Sequence, residues 1–338
     1  MNAALCAVLC VVVLVGGALP AKIHYDLEDA ERLFDLFMIK YHKVYRSELE
    51  RAAKFEVFKR NLATLNDKND KDENATFDIN AYTDRSRNEL LRTQTGFQSN
   101  FARNASPFTQ KKGMCITRVV AGTPPCLLPE SFDWRDKNVV TPVKDQLECG
   151  SCWAFTAIAN FESQYAIKHG KHVDFSEQHL LDCDQLNYGC DGGLMHWAFE
   201  EIIRMGGVVL EYDYPYTGVE SFCANNVNMY TTISGCVQYD LRDEEKLREL
   251  LVTNGPIAVA LDIVDIVDYK SGVVSFCGTN NGLNHAVLLV GYGVDKTIEY
   301  WLLKNSWGTD WGEEGYFRIK RNRNSCGILN SYAASVIL

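Results

Sequence analysis

Two cysteines separated by two residues are the first candidates for chemistry in the sequence. Cys149 and Cys152 stand in Cys-Gly-Ser-Cys-Trp, at the start of residues 152–169, which can form a helix with Ser151 as N-cap and Gly170 as its stop. A thiol at a helix N-terminus faces unpaired N–H groups and the positive end of the helix dipole, which favour its thiolate. The pair fits either a thiol–disulfide redox motif or one structural cysteine beside one nucleophile. Zinc is a third possibility, although no second closely spaced Cys/His pair completes a tetrahedral set.

A histidine and an asparagine downstream could complete a site with the nucleophile. His285, in Asn-His-Ala-Val, lies 133 residues after Cys152, and Asn305, in Asn-Ser-Trp-Gly, lies 153 residues after it. A cysteine nucleophile needs a base that shares its proton and a third group that orients the base. A lone histidine is more often structural, so the choice between these alternatives depends on the motifs around the three residues.

The elements that must position these residues differ along the chain. Residues 26–72 are charge-rich and have helical periodicity, and a second helical stretch follows Ser151. After residue 255, β-branched and aromatic runs alternate with turns and predict strands at 257–264, 286–292, 300–304 and 316–320. A helical part followed by a strand-rich part predicts an α+β enzyme with a cleft between two lobes.

The ordered motifs around these residues resemble the papain-like cysteine proteases. The cysteine, histidine and asparagine motifs stand at the spacing of that family, and the similarity runs through essentially the whole chain after residue 129. Other shared phrases lie at 132–135, 142–146, 176–178, 182–183, 189–193 and 311–312. The resemblance implies a papain-like peptidase domain over 129–338, mainly helical at about 129–240 and mainly a barrel-like β lobe at 241–338.

The resemblance also implies a role for each residue of the site. Cys152 would be the nucleophile, paired as thiolate with the imidazolium of His285, which would protonate the leaving amine and later activate water. Asn305 would orient the imidazole, and Trp307 would shield the bond between them. Gln146 and the Cys152 N–H would bind the oxyanion, and loss of one such donor typically costs about 10²–10³ in rate. Neither a metal ion nor a cofactor is expected.

Substrate-binding residues follow from the same resemblance. Gly192 and Gly193 would let a substrate backbone approach as an added strand. The S2 pocket would be lined by apolar residues, with Asn284 beside the catalytic histidine and Ser331 as the floor: Leu194, Met195, Ala260, Leu283 and Ala286. Apolar walls over a neutral serine predict a hydrophobic P2 residue. Without a long insertion between Cys190 and Cys223, endopeptidase activity is favoured over dipeptidase activity.

The chain before residue 129 is expected to be an inhibitory propeptide, residues 19–128. One predicted helix has a buried stripe, and a second places six residues on one face at steps of three or four: Glu50, Lys54, Phe58, Asn61, Leu65 and Asn69. This face and residues 80–84 resemble the propeptide motifs of cathepsin L-type enzymes. Phrases at 166–169, 265–270 and 281–285 are similar to the cathepsins of baculoviruses, which implies synthesis in infected insect cells and breakdown of host tissue.

An apolar run at the N-terminus predicts a signal peptide. Residues 3–15 are continuously apolar and are followed by small residues, so we expect a signal over 1–18, cleaved after Ala18. A membrane anchor is the alternative, but about 20 apolar residues are needed to span a bilayer. The proenzyme is expected in the ER, and then in an acidic vacuolar or lysosome-like compartment or outside the cell. Sequons at Asn74 and Asn104 fit this route.

The charge is divided between the propeptide and the enzyme. Residues 1–128 carry a net charge of +3 and residues 129–338 carry −13, in a chain of 338 residues with net charge −10. This balance argues against a nucleic-acid partner, so the expected partners are protein substrates and the chain's own propeptide, in a monomer. Because protonated carboxylates lose their attraction to basic groups, acid is expected to loosen residues 22–128 and promote cleavage near residues 128 and 129.

The twelve cysteines divide into several groups. Cys6 and Cys10 leave with the signal peptide, and the sequence alone does not decide the pairing of the others. The resemblance implies three disulfides, which leave Cys152 free: Cys149–Cys190, Cys183–Cys223 and Cys277–Cys326. Cys236 is then expected to be an unpaired, buried structural thiol. Cys115 and Cys126 could bridge within residues 93–127, which are expected to be a loop-like connector exposed to proteolysis.

Two competing functions remain open. A disulfide oxidoreductase built on Cys149 and Cys152 would not need Gln146, His285 or Asn305, and a catalytically silent binding protein would not need the intact site.

The sequence departs from the usual residues of the family in three respects. Leu147 stands where the family usually has glycine, and Asn284 replaces a commonly acidic residue. Lys54 and Leu65 depart from the Arg and Ile of the propeptide motif.

Overall fold

The computed structural model describes residues 22–98, 115–119, 128–224, 226–277 and 282–338. The predicted signal peptide, the Asn104 sequon and Cys126 lie outside these residues. The helices of the described residues are α1 (Ala30–Lys40), α2 (Glu48–Lys71), α3 (Arg87–Thr93), α4 (Cys152–His169), α5 (Glu177–Cys183), α6 (Met195–Met205) and α7 (Glu244–Asn254). The strands are β1 (Ala75–Phe77), β2 (Ile116–Val119), β3 (Phe132–Asp133), β4 (Gly235–Asp240), β5 (Ile257–Leu261), β6 (Tyr269–Val274), β7 (His285–Asp295), β8 (Ile298–Lys304), β9 (Tyr316–Lys320) and β10 (Ala333–Ile337).

One mixed sheet joins these strands in the order β1-β6-β9-β8-β7-β5-β10-β4-β2, and β3 pairs with β7. Most pairs are antiparallel, and the exceptions are β6 with β9 and β2 with β4. The predicted strands after residue 255 correspond to β5, β7, β8 and β9, and the α+β fold class is confirmed. Strands β3 and β4 come from the part of the chain up to residue 240 and pair with β7 and β10, so the sheet includes residues from both parts of the protease domain.

The central helix α4 begins and ends where the sequence predicts. It packs on β7, α6 and β10, and its residues are buried almost all round, as in a helix enclosed by a core. Gly170 ends it with a left-handed φ of +68°. Ser151 occupies the N-cap position but its side chain makes no capping bond, because its Oγ lies 2.7 Å from the Tyr216 hydroxyl.

The helical N-terminal part packs as predicted. Helix α1 buries Phe34 and Phe37, and the other members of its apolar stripe are partly buried. The polar residues at fixed steps on α2 fasten the following chain: Lys54 Nζ lies 2.5 Å from Glu89 Oε1, and Asn61 Nδ2 donates to the carbonyls of Thr83 and Arg85. Asn69 exchanges hydrogen bonds of 2.8 and 2.9 Å with the backbone of Phe77. The polar face of α2 therefore holds β1 and the start of α3 in place. Asn74, the other predicted sequon, is exposed and donates to Ser275 Oγ at 2.9 Å.

The disulfides correct one expectation. The three pairs implied by the resemblance are present, and Cys152 is the free cysteine of the described residues. The expectation that Cys236 is unpaired is wrong, because Cys236 forms a disulfide with Cys115. The connector, expected to be a loop, contains a strand: β2 pairs in parallel with β4, and the Cα atoms of the two cysteines lie 4.5 Å apart.

No helix within the described ranges is both long enough and apolar enough to cross a membrane.

Candidate active site

The predicted nucleophile lies at the first residue of α4. The Cys152 side chain is fully buried, and its Sγ accepts a hydrogen bond from the Ala286 N–H at 3.4 Å. Burial raises the pKa of the thiol to about 12, because it outweighs the N–H groups of Ala286, Gly96, Trp153 and Cys152 itself, which lower it. The helix terminus thus favours the thiolate as expected, but in this covered state the neutral thiol prevails.

The predicted base and the residue expected to orient it are hydrogen-bonded to each other. His285 begins β7 and Asn305 follows the end of β8, and His285 Nε2 lies 2.7 Å from Asn305 Oδ1. The Trp307 ring lies 4.9 Å from the imidazole ring, centroid to centroid. Burial lowers the pKa of His285 to about 4, despite the hydrogen bonds of Asn305 and the Gln94 backbone, which raise it. The imidazole is therefore neutral at pH 7 in this state.

The side-chain amide of the predicted oxyanion donor is held by hydrogen bonds at both its oxygen and its nitrogen. Gln146 is fully buried, its Oε1 accepts from Ser306 Oγ at 2.6 Å, and its Nε2 donates to the Cys149 carbonyl at 2.9 Å. The same Nε2 lies 3.4 Å from the carbonyl oxygen of Gln94, which also accepts from Trp307 Nε1 at 3.2 Å. A peptide carbonyl from the N-terminal part thus contacts the donor assigned to the oxyanion.

Residues 94–98, which follow α3, cover the site. The N–H groups of Gly96 and Phe97 donate to the Asn284 carbonyl at 3.0 and 2.9 Å. Gly193 donates to the Gly96 carbonyl at 2.7 Å and accepts from the Gln98 N–H at 3.2 Å. The segment therefore adds an extended chain to Gly193, the residue at which a substrate backbone was expected.

Glycines make this close approach possible. A Cβ on Gly96 would lie 1.9 Å from the Gly150 carbonyl oxygen, and a Cβ on Gly192 would lie 2.4 Å from that of Gly96. Gly192 also has a φ of +110°, which other residues rarely adopt. A side chain at any of these positions would push the covering segment away from the cleft.

The residues assigned to the S2 pocket are brought together. Phe97 belongs to one buried apolar cluster with Leu194, Met195, Ala260, Leu283 and Ala286. Asn284 lies beside them, and its Nδ2 donates to Asp262 Oδ1 at 2.6 Å. Ser331, the predicted floor, is partly buried just before β10.

Leu147 has the backbone conformation that explains a glycine at this position in the family. Its φ is +55°, in the left-handed region that costs a non-glycine residue about 1–2 kcal/mol. The side chain is 48% exposed, and its N–H donates to Asp145 Oδ1 at 2.8 Å. This chain therefore accepts a strained leucine directly after Gln146.

The covering segment has no clear signal in the sequence. Gln94, Gly96 and Phe97 lie beyond the last periodic helix, and a single sequence offers no spacing signal for an extended inhibitor. The sequence also gives no sign of a buried charge cluster behind Asn305, in which Lys144 Nζ lies 3.1 Å from Glu162 Oε1 and 2.8 Å from Glu177 Oε1.

Comparison with known proteins agrees with this geometry. The sequence profile of the papain family cysteine proteases matches residues 128–336, and that of the cathepsin propeptide inhibitor domain (I29) matches residues 34–90. The viral cathepsin of Cydia pomonella granulosis virus (isolate Mexico/1963) is 54% identical over 314 residues, which cover 93% of each chain. That of Spodoptera litura multicapsid nucleopolyhedrovirus is 51% identical over 318 residues, which cover 94% of each chain.

Solved proenzymes share the fold. A recombinant stem bromelain precursor superposes with a TM-score of 0.79 at 38% identity and covers 91% of this chain and 99% of its own. Procathepsin L2 from the larval midgut of Tenebrio molitor has a TM-score of 0.81 at 34% identity and covers 91% and 100%. The chain therefore belongs to the papain family of cysteine proteases and carries a cathepsin propeptide inhibitor domain in front of its protease domain.

Proposed function

We propose that the protein is a cysteine endopeptidase in which Cys152, His285 and Asn305 are the catalytic residues. The observation that carries the proposal is their arrangement. The Cys152 thiol accepts a hydrogen bond from the N–H of the residue after His285, and the imidazole is hydrogen-bonded to Asn305. The Cys152 thiolate attacks the substrate carbonyl carbon, and the resulting oxyanion accepts from Gln146 Nε2 and the Cys152 N–H. His285 protonates the leaving amine, and then takes a proton from the water that hydrolyses the thioester.

Labelling with an epoxysuccinyl inhibitor tests this proposal. After cleavage of the propeptide, we expect one equivalent of inhibitor on Cys152, with loss of peptidase activity in proportion to labelling. The Cys152→Ala chain, cleaved in the same way, is the control and should take up no label. Labelling of Cys149, or insulin reduction that survives labelling, would support the disulfide oxidoreductase instead.

We propose that the S2 pocket prefers apolar side chains such as Leu, Val or Phe at P2. The support is Phe97, a residue of the propeptide that belongs to the same buried apolar cluster as the residues assigned to S2. In a library of peptides that vary only at P2, we expect Leu, Val and Phe to give the highest kcat/KM. Faster cleavage with Arg at P2 would contradict an apolar pocket.

We propose that acid loosens the propeptide by protonating a carboxylate that its own basic and hydroxyl groups hold ionised. Among the described residues, basic side chains of the propeptide also lie beside acidic side chains of the protease, with N–O distances of 2.6, 2.5 and 3.3 Å: Lys68–Asp268, Arg85–Glu148 and Arg87–Asp265. Within the propeptide, burial alone would raise the pKa of Glu89, but bonds to Lys54 and Ser86 lower it to about 2. Its stabilising contribution is therefore complete above about pH 4.3 and is lost as the pH falls towards 2.

Glu89→Gln tests this acid response in the uncleavable Cys152→Ala chain. We expect the difference in melting temperature between pH 6 and pH 3 to be smaller in Glu89→Gln than in the parent. Glu56→Gln, at an exposed position of α2, is the matched control and should keep the full difference. High salt should weaken the exposed pairs in the same direction as acid. Equal acid responses in all three chains would contradict a role for Glu89.

We propose that the protein enters the secretory pathway of an infected insect cell and later degrades host tissue proteins. The support is the predicted signal peptide together with similarity to viral cathepsins of insect viruses. Expression of the whole chain in insect cells should yield a zymogen whose N-terminus is Leu19. An N-terminus at Met1 on the recovered protein would contradict this route.

A further inference from the structure

The part of the chain before the expected cleavage position is joined to the protease domain at a second place, by a disulfide outside the covering segment. Cys115 precedes the cleavage position expected near residues 128 and 129, whereas Cys236 lies within the protease domain, and the two form a disulfide. The Cys115 N–H also lies 3.3 Å from Glu200 Oε1 on α6. A cut before Pro129 therefore does not separate these two parts of the chain.

Backbone pairing supports the same attachment. Strand β2 pairs in parallel with β4 over four residues, from Ile116 opposite Val237 to Val119 opposite Asp240. On its other side β4 pairs with β10, so loss of β2 would leave β4 as an open sheet edge. The paired strand and the disulfide thus cover one edge of the enzyme with residues from before the cleavage position.

We propose that the protease, once cut before Pro129, keeps the peptide that contains Cys115 as a disulfide-linked second chain paired with β4. The inference rests on the proposed zymogen cleavage. Hydrolysis of the peptide bond consumes one water and leaves a carboxylate on Leu128 and an amine on Pro129, and the disulfide is unchanged. A dithiol can release the peptide by giving two electrons and two protons, which yield the thiols of Cys115 and Cys236 and a cyclic disulfide of the reagent.

The Cys115–Cys236 disulfide, the tether between the two parts, affects inhibition of the cut protease as well as the number of chains that it contains. Gln98, at the end of the covering segment, is 17 residues before Cys115 in the same chain. After a single cut before Pro129 the inhibitory segment therefore stays at a high effective concentration near the cleft. Full activity then requires a second cut between these two residues, or reduction of the disulfide.

The test begins with the Cys152→Ala chain, cut in trans by added active protease under non-reducing conditions. We expect the protease domain to migrate with a Cys115-containing peptide, which a reducing gel separates and mass spectrometry identifies. In Cys115→Ser and, as a second variant, Cys236→Ala, the peptide should separate without reductant. Cys126→Ser is the matched control and should behave as the parent. Separation of the parent without reductant would overturn the proposal.

Disulfide mapping of the uncut Cys152→Ala chain separates failure of the tether from failure of processing. A Cys115–Cys236 cross-linked peptide supports the tether whether or not the chain is cut, and a Cys115–Cys126 peptide overturns it. Full-length chain on reducing gels would contradict cleavage before Pro129, which belongs to the proposed function.

Discussion

Cys152→Ala is expected to lower kcat/KM by at least about 10⁴, because the chain then has no nucleophile to form the thioester and retains only substrate binding and oxyanion stabilisation. His285→Ala should cost a similar factor, since the thiol would lose its proton acceptor and the amine its proton donor. Asn305→Ala should cost less, because it removes the 2.7 Å bond that orients the imidazole but leaves both reacting groups. The variants must be cleaved in trans before assay, because we expect them not to process themselves.

The double variant of Cys152 and His285 shows whether the two residues act together or contribute independently to kcat/KM. Residues that act as a unit cost about as much singly as together, so Cys152→Ala with His285→Ala should be no worse than Cys152→Ala alone. His172→Ala is the matched control, because His172 is exposed and its Nε2 contacts the Asn138 carbonyl. Activity above about 1% in cleaved Cys152→Ala would exclude Cys152 as the nucleophile.

The sequence predicts the catalytic elements well because their signals are local. Gly170 stops α4 through its left-handed φ, and runs rich in β-branched, aromatic or other apolar residues mark β5, β7 and β8. The motifs that surround Cys152 and His285 are each short and contiguous, so the amino-acid sequence alone is enough to recognise them and their spacing.

The sequence predicts the propeptide contacts poorly because they are set by distant partners. Strand β2 has four residues and is stabilised by β4, which lies more than 100 residues later, so the connector around it reads as a loop. Because the sequence gives no signal for β2, it also gives none for the disulfide beside that strand, and Cys236 is therefore expected to be unpaired. Gly96 likewise has no signal of its own, since only the Gly150 carbonyl opposite it shows why a side chain does not fit.

The covered site changes the protonation of the catalytic pair without a net change in protons. The pair can exist as a neutral thiol beside a neutral imidazole, or as a thiolate beside an imidazolium. Both forms bind the same number of protons. Conversion of one form into the other therefore adds no pH dependence to propeptide release between about pH 4 and 7. We therefore expect the acid response proposed for the zymogen to come from carboxylates such as Glu89 and not from the catalytic pair. We expect the propeptide instead to influence which of the two forms of the pair is populated.

Cys152 is expected to react with iodoacetamide at pH 7 at least about 10³-fold more slowly in the zymogen than in cleaved protease from which residues 94–98 have been removed. With a thiol pKa of about 12, the thiolate fraction at pH 7 is about 10⁻⁵, and the neutral His285 supplies no positive charge to raise it. Removal of residues 94–98 returns the thiol to water and to an imidazolium partner. The measurement is the rate of mass increase at Cys152 in the uncut and cleaved chains, with the uncut Cys152→Ala chain as the background.

The pH dependence of this reaction separates a raised pKa from simple steric exclusion. A raised pKa predicts that the zymogen rate rises about tenfold per pH unit between pH 6 and 9, because each unit multiplies the small thiolate fraction by ten. The cleaved protease should instead show a nearly flat rate over the same range, since its thiolate is already formed. Gly96→Ala, which forces a Cβ against the Gly150 carbonyl, should move the uncut chain towards the cleaved profile. Parallel profiles for the zymogen and the cleaved protease would show that the propeptide only blocks access.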